Sequence, residues 1–346
     1  MNGSAQNKPI VVSLFSGGGG LDLGFKQAGY DIVWAIDNNK DAVASYKANV
    51  GENIILADIN KVETSRIPPC SVVIGGPPCQ SFSYAGKRNT QDARGQLVWT
   101  YIKIIDALKP KAFLFENVVG LKTARSSDGG LIIEALMKAF EEIGYTLSCK
   151  EVNAADYGVP QLRKRLIIVG LRGKGKFVFP EATHNADGSG GKKKYVSVSE
   201  AIGNLPPAGS DSSVPDHEMP SMSALDKYIV SHVKPGGNYM DIPSDVPSVR
   251  IRRLQRDGGH TTCYGRMLPD KPSYTINTYF NRPNVGCNIH YAADRLITAR
   301  EALRLQSFPD SYIPVSSSKQ GRNLIIGNAV PPLMAKHLAL ELKKYL

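Results

Sequence analysis

From residue 10 to about 170, short apolar runs rich in β-branched residues alternate with longer stretches of helical period. IVVSLF is followed by a helical pattern from Leu21, IVWAID by one from Lys40 and, after ENIILA, SVVIGG by one near Gln96; AFLFENV leads to a pattern from Leu131, and RLIIVGL closes the series. Continuous apolar runs mark strands covered by helices on both faces, so the rhythm predicts a doubly wound α/β sheet of buried parallel strands. Between about Gly173 and Gly286 the pattern changes to GKGK, DGSGGKKK, NLPPAGSDSSVP and KPGG, where proline, glycine and serine interrupt every run before a helix is established. A second, loop-rich domain is predicted there. Helical period returns in LITAREALRLQSF and VPPLMAKHLALELKKYL, as expected if the C-terminus rejoins the first domain. The predicted division is therefore 1–172 with 287–346, and 173–286 inserted between them; no internal repeat is present.

Composition narrows the class. A chain of 346 residues with 42% hydrophobic positions buries a substantial core. No apolar run approaches the roughly 18 residues of a membrane span, and MNGSAQNKPI lacks the apolar core of a secretion signal, so a cytoplasmic protein is expected. The five cysteines, Cys70, Cys79, Cys149, Cys263 and Cys287, include no CxxC pair, and the six histidines form no HxH or HxxxH cluster. Neither a disulfide framework nor a metal site is indicated. The net charge is +11, and because residues 1–160 hold equal numbers of basic and acidic side chains, the whole excess lies beyond them. An excess of that kind suits a polyanion, and equally a soluble basic surface.

Candidate chemistry sits at the ends of the apolar runs. FSGGGGLDLGF, residues 15–25, follows the first strand and opens a helix, so its glycines allow a tight turn and close approach of a ligand to the helix N-terminus. Asp37 ends the second strand about 20 residues further on, where a carboxylate accepts from both hydroxyls of a ribose. Asp58 follows ENIILA, positioned either for an adenine amino group or as a turn cap, and Phe15 offers a ring to the base or to the core. These residues fit a nucleoside-bearing cofactor without separating NAD from S-adenosylmethionine. GGPPCQSFS presents Cys79 on a loop past a strand, with two prolines stiffening the backbone before it and polar Gln80, Ser81 and Ser83 after it. FLFENV brings Glu116 to the end of the next strand. QLRKR offers Arg163 and Arg165, which alternation puts on one side of an extended segment, ready to bind phosphate, orient a carbonyl or depress a thiol pKa.

In this order the motifs resemble those of the cytosine-5 DNA methyltransferase family, in its bacterial or phage type II modification form, over nearly the whole chain. The resemblance covers the glycine loop, PPCQS, ENV, QLRKR, TAREALRLQSFPD and IGNAVPP. It implies a Rossmann-like, S-adenosylmethionine-dependent methyltransferase fold with a target recognition domain inserted, and no metal. Cys79 would be the covalent nucleophile on carbon 6 of cytosine, Glu116 the group that hydrogen-bonds the ring nitrogen and amino group, and Arg163 and Arg165 the residues that steady the cytosine carbonyl, Glu116 and the nearby backbone. The cofactor set it implies is Phe15, Ser16, Gly17, Gly19, Gly20, Leu21, Asp37, Asn38, Asp58, Ile59 and Pro77, with Asn328, Ala329 and Val330 from the closing motif. Duplex DNA of a specific short sequence is the implied partner, gripped by Gln80, Ser81, Phe82, Ser83, Arg94, Arg253, Arg266, Thr275 and Arg282, with Arg250, Arg252 and Arg256 as further candidates. A monomer is expected, working beside a cognate restriction endonuclease. Asp37 departs from the glutamate of many relatives, and Asn39 from a frequent aspartate. A tRNA cytosine-5 methyltransferase, a non-catalytic DNA-binding homologue and a nicotinamide-dependent oxidoreductase are the rival readings; the long insertion, the intact Cys79, Glu116 and Arg163, and the PPCQ, ENV and QLRKR motifs count against them in turn.

Overall fold

The computed structural model describes residues 8–78, 95–126, 129–173 and 175–346. Its chain divides into two compact units, Met1–Asn153 with Lys164–Glu181 and Met334–Leu346, and Ala154–Arg163 with Ala182–Leu333.

The first unit is built on a sheet of seven strands: β1 (Ile10–Leu14), β2 (Asp31–Asp37), β3 (Ile54–Leu56), β4 (Val72–Gly75), β5 (Ala112–Val118), β6 (Tyr145–Asn153) and β7 (Lys164–Arg172). Their order is β3-β2-β1-β4-β5-β7-β6. Helices α1 (Gly20–Gln27), α2 (Lys40–Asn49), α3 (Gly95–Leu108) and α4 (Ile132–Glu142) fall in the stretches of helical period. The pairings from β3 through β5 are parallel, as the continuous apolar runs predict. The far edge departs from the all-parallel expectation: β7 runs antiparallel to both β5 and β6, so the sheet is mixed. β6 is a further difference, a strand absent from the predicted series. As an edge strand its sequence, YTLSCKEVN, mixes buried and exposed positions instead of forming one apolar run.

The core of this unit packs aromatic rings between the central strands and two helices. Tyr101 of α3 stands edge-on to Phe115 with centroids 5.5 Å apart, and Phe113 stacks on Phe140 of α4 at 4.3 Å. The C-terminal residues belong to the same unit, where the Tyr30 hydroxyl donates to the Ala339 carbonyl at 2.9 Å.

α1 carries a buried acid with a measurable consequence. Asp22, in the first turn, is fully buried and accepts the Tyr46 hydroxyl at 2.9 Å; burial pushes its carboxyl up to about 6. In the unfolded chain the same group titrates near 3.8, so above pH 6 it is ionised in both states and the folded state carries the desolvation cost. That cost is relieved as pH falls through 6 and is gone below the unfolded value. Stability contributed by Asp22 is thus expected to rise by roughly 1–2 kcal/mol between pH 8 and pH 5. Urea unfolding of wild type and Asp22→Asn at the two pH values checks it: the stability of wild type relative to the variant should rise by that amount from pH 8 to pH 5, and parallel pH profiles would refute the assignment.

The second unit contains more helix than its proline- and serine-rich sequence suggests. Helices α5 (Val198–Ile202), α6 (Ala224–His232) and α7 (Val249–Asp257) each start from a serine, Ser197, Ser223 and Ser248, whose side chain accepts from a first-turn backbone N–H. Serine in this part of the sequence thus starts helices at these three places. A core of its own gathers Ile229, Val230, Tyr239, Val246, Ile251 and Ile289. β8 (His184–Asn185) and β9 (Lys193–Lys194) form a small parallel pair.

Helices α8 (Ala299–Leu305) and α9 (Lys319–Asn328) lie in this unit as well, whereas the sequence division assigns residues from 287 onward to the first domain. The polar residues of α8 explain the difference. Arg300 donates to the Pro215 carbonyl at 3.0 Å, Arg304 reaches Asn204 at 2.6 Å, and the Thr298 cap meets His217 at 2.9 Å, which ties the helix to residues 204–217. α10 (Pro332–Leu342) spans the division at residue 333.

Candidate active site

The carboxyl ends of β1 and β2 meet at a fixed carboxylate. Asp37 accepts the Gly17 backbone N–H on one oxygen at 2.8 Å and the Asn39 N–H on the other at 2.9 Å. Burial raises its pKa, opposed by these backbone donors. The two hydrogen bonds orient the carboxylate and leave acceptor positions for a ligand's hydroxyls. Asn39, noted as a departure from the family, caps α2 by accepting from the Asp41 and Ala42 N–H groups at 2.9 and 3.1 Å. The turn that carries Gly17 depends on Gly19, at φ +85°, where an added Cβ would lie 2.4 Å from Val50. Phe15 also adopts a positive φ, 55°, and packs on the core while half-exposed. Ser16, Gly20 and Leu21 are buried around this turn, as are Ile59 and Pro77, and Asn38 is exposed. Asp58, an exposed residue, caps the turn Ile59–Lys61 through the Asn60 N–H at 3.0 Å, the structural role weighed for it.

Two strands along from β1, beyond β4, β5 brings Glu116 and Asn117 to its carboxyl end. The Glu116 carboxylate pairs with the Arg165 guanidinium at 2.9 Å, both side chains nearly buried at 13% and 14% exposure. The antiparallel register of β5 and β7 produces this meeting, since it sets Arg165 opposite Val118 and Ile167 opposite Glu116. Gly76 makes room for the carboxylate: a Cβ there would lie 2.7 Å from the second Glu116 oxygen. Asn117 donates to the Pro77 carbonyl at 2.9 Å and so anchors the backbone two residues before Cys79. Cys79 itself, with Gln80, Ser81, Phe82, Ser83 and Arg94, lies outside the described residues.

Of the roles expected for the two arginines, Arg163 takes up backbone contacts and Arg165 the contact to Glu116. Arg163 belongs to the second unit and is 1% exposed, and its two terminal nitrogens donate to the Ile276 carbonyl at 3.1 Å and the Gly327 carbonyl at 3.0 Å. A guanidinium so placed holds those two backbone segments together. Gln161 joins it, accepting the Ile276 N–H at 3.1 Å and donating to the Leu305 carbonyl at 3.3 Å. Thr275, on the same segment, is exposed and donates to the Leu162 carbonyl at 2.8 Å. The sequence motifs contain Gln161 and Asn117 but suggest no role for them, because their partners are backbone groups distant in sequence.

Arg266 is a correction. Expected on DNA, it is 4% exposed, with its guanidinium bonded to the Val230, Val233, His290 and Ala293 carbonyls and to Asp294. Arg253 and Arg282 remain exposed, the first 3.5 Å from Asp257 and the second over the Tyr279 ring at 5.0 Å. Asn328 ends α9 in the second unit and is exposed, with Ala329 and Val330 half-buried after it. Among the described residues no cluster of His, Cys, Asp and Glu suits a metal ion, and no helix is long and apolar enough to cross a membrane.

An α/β unit with a fixed acid at β2 and a carboxylate–guanidinium pair over Gly76 defines a class that comparison makes specific. The family model for C-5 cytosine-specific DNA methylases matches residues 10–344. Type II methyltransferase M.NgoFVII of Neisseria gonorrhoeae is 39% identical, covering 97% of this chain and 87% of its own length. Type II methyltransferase M1.HphI of Haemophilus parahaemolyticus is 34% identical, with 95% and 85% covered. Among solved structures, a chain assigned as a DNA modification methyltransferase encoded within an E. coli prophage superposes with a TM-score of 0.65 at 25% identity, covering 97% of this chain and 99% of its own. The S. pombe Dnmt2 methyltransferase shares the fold, with a TM-score of 0.63 at 20% identity over 97% and 99% of the two chains. The chain belongs to the C-5 cytosine-specific DNA methylase family.

Proposed function

We propose that this protein methylates carbon 5 of a cytosine within a short specific sequence of duplex DNA, as the modification enzyme of a restriction-modification system. The observation that carries the reading is the Glu116–Arg165 pair seated over Gly76, three residues before Cys79, in a member of this family.

Carbon 5 of cytosine is a weak nucleophile, and the chain's residues remedy that. The Cys79 thiolate forms a bond to carbon 6 while Glu116 shares its proton with ring nitrogen 3, so the electron pair displaced by the thiolate develops at carbon 5 with little charge on the ring. Arg165 holds the Glu116 carboxyl in place for that exchange. When bound, S-adenosylmethionine supplies an electrophilic methyl group and leaves as S-adenosylhomocysteine. Loss of the carbon 5 proton then expels Cys79 and restores the aromatic ring. The donor set fits such a cofactor: Asp37 has acceptor positions left for ribose hydroxyls, and the space in front of Gly17 is open. Phe15, Ser16, Gly19, Gly20, Leu21, Asn38, Asp58, Ile59 and Pro77 would complete that side, with Asn328, Ala329 and Val330 of the second unit.

The target base is stacked in the duplex and has to be flipped out, at a cost of a few kcal/mol that contacts to the extruded base offset. Gripping the duplex falls to the second unit, through Thr275, Arg253 and Arg282, and to Gln80, Ser81, Phe82, Ser83 and Arg94. The enzyme works as a cytoplasmic monomer beside a cognate endonuclease in a bacterial or phage setting.

Mechanism-based trapping tests the proposal. Wild type incubated with S-adenosylmethionine and duplex DNA containing 5-fluorocytosine is expected to give a denaturation-resistant adduct, because fluorine at carbon 5 blocks the release of Cys79. Cys79→Ser should give none. An adduct formed on tRNA and not on DNA would overturn the substrate class, and no adduct on either would overturn covalent catalysis.

A further inference from the structure

The chemistry proposed above leaves one buried charge without a task. Asp22 is fully buried at the start of α1, behind the glycine turn; one of its oxygens accepts the Tyr46 hydroxyl at 2.9 Å and the other has no hydrogen-bond partner. Tyr46 backs the same turn, since a Cβ added at Gly19 would lie 3.0 Å from its ring. Three neighbouring elements act on the carboxyl, and each presents a group without positive charge: the Ser13 hydroxyl of β1, the Tyr46 hydroxyl of α2 and, from β2, a second acid, Asp37, whose charge makes Asp22 harder to ionise. Lys26, one turn along α1, is exposed and gives its ammonium to the Val50 carbonyl.

A buried carboxylate is ordinarily met by a cation or neutralised by a proton. The first turn of a helix favours an acid, yet burial outweighs that position and the hydroxyl partners, and raises the Asp22 carboxyl to about 6. Above that pH the group is ionised, with a second acid nearby and no basic side chain against it among the described residues. Asparagine would fill the same volume and still accept from Tyr46 without that cost. The missing positive charge is one that the cofactor carries. Asp37 is oriented for ribose hydroxyls by the Gly17 and Asn39 N–H groups, and in S-adenosylmethionine the sulfonium sulfur is bonded to carbon 5 of that ribose. The product, S-adenosylhomocysteine, has the same skeleton with a neutral thioether.

We propose that Asp22 is the counter-charge of the cofactor's sulfonium and makes the enzyme hold the methyl donor more tightly than the demethylated product; the proposal rests on the reading of the chain as an S-adenosylmethionine-dependent methyltransferase. Being fully buried, Asp22 acts through its field and not by contact. Salt screens such a field little, because the carboxylate lies inside the protein. Two unit charges within about 10 Å, at an effective dielectric of roughly 20, change each other's binding by about tenfold or more. Asp37 adds to the field but also holds the ribose, which donor and product share, so Asp22 is the acid that separates recognition of charge from contact. A preference of this kind limits competition from S-adenosylhomocysteine as it accumulates.

Ligand affinity tests this without any turnover. Full-length wild type and Asp22→Asn, each shown to be folded by its melting curve, are titrated calorimetrically at pH 7.5 with S-adenosylmethionine, S-adenosylhomocysteine and sinefungin, whose ammonium stands where the donor has its sulfonium. The variant is expected to bind the two cationic ligands about tenfold more weakly and the neutral product within about twofold of wild type. Equal weakening of all three would make Asp22 a structural support of the turn and overturn the proposal, as would unchanged affinity for all three. Wild type alone gives a second reading, which stands even where the variant does not fold. Between pH 7.5 and pH 5 the carboxyl gains its proton, so the ratio of product to donor dissociation constants should fall severalfold toward that of the variant. A ratio that stays flat over that range would also overturn it. If wild type binds neither S-adenosylmethionine nor S-adenosylhomocysteine, the methyltransferase reading fails first and the assignment of Asp22 with it.

Discussion

Replacing Glu116 by glutamine is expected to lower the single-turnover rate of methyl transfer to duplex DNA by about 10²- to 10⁴-fold, the range that a positioned acid contributes. The side chain keeps its size, so the space over Gly76 remains filled and one oxygen can still accept from Arg165, which now pairs with Glu116 at 2.9 Å. What is lost is the proton. A carboxyl group delivers one to ring nitrogen 3 as the thiolate adds, whereas an amide offers a hydrogen bond and retains its hydrogens, so negative charge accumulates on the ring. The change should therefore appear in the chemical step and leave equilibrium binding of S-adenosylmethionine within a few-fold of wild type, because the Asp37 carboxylate and the glycine turn are untouched. Rapid-quench measurement of methyl transfer, with cofactor affinity measured separately, distinguishes the two. A glutamine variant within tenfold of the wild-type rate would remove Glu116 from the reaction.

The sequence makes the elements of the first unit legible because each buried strand is a single apolar run, and parallel strands under helices on both faces demand such runs. β6 escapes that rule as an edge strand with mixed exposure, and with it goes the antiparallel turn of β7 that aligns Arg165 with Glu116. In the second unit Ser197, Ser223 and Ser248 cap α5, α6 and α7, so a residue type read as interrupting helices also starts them. The unit boundary misleads for a related reason. Periodicity identifies α8 as a helix but not its partner, and its Arg300 and Arg304 bind residues from 204 to 215.

At the candidate site, the acids are more legible than the arginines. Asp37 and Glu116 end strands, and the end of a strand in an open α/β sheet is where ligands bind. An arginine in the sequence shows its charge but not whether that charge faces water. Arg163, Arg165 and Arg266 look alike there, yet one ties two backbone segments together, one pairs with a carboxylate and one fills the interior of the second unit.

Arg266→Ala is accordingly expected to destabilise the second unit by about 4 kcal/mol or more, through the loss of a buried hydrogen-bonding hub. The guanidinium donates to the Val233 carbonyl at 2.6 Å and the Val230 carbonyl at 2.7 Å, in the last turn of α6, where unsatisfied carbonyls and the helix dipole both favour a cation. It also donates to the His290 and Ala293 carbonyls at 3.0 and 2.9 Å. Alanine removes a donor from four carbonyls; those of Val230 and Ala293 still accept the Val233 and Arg295 N–H groups at 3.3 and 2.8 Å, so the larger cost falls on Val233 and His290, about 1–3 kcal/mol each where water does not reach. Lysine should rescue little, since its three donors on one nitrogen cannot span the fork that reaches all four. Were Arg266 a DNA contact instead, the variant would melt normally and bind DNA with a salt slope smaller by about one. Thermal unfolding with DNA binding measured over a range of salt separates the outcomes: a lowered melting temperature with an unchanged slope in the folded protein supports the hub, and normal melting with a reduced slope refutes it.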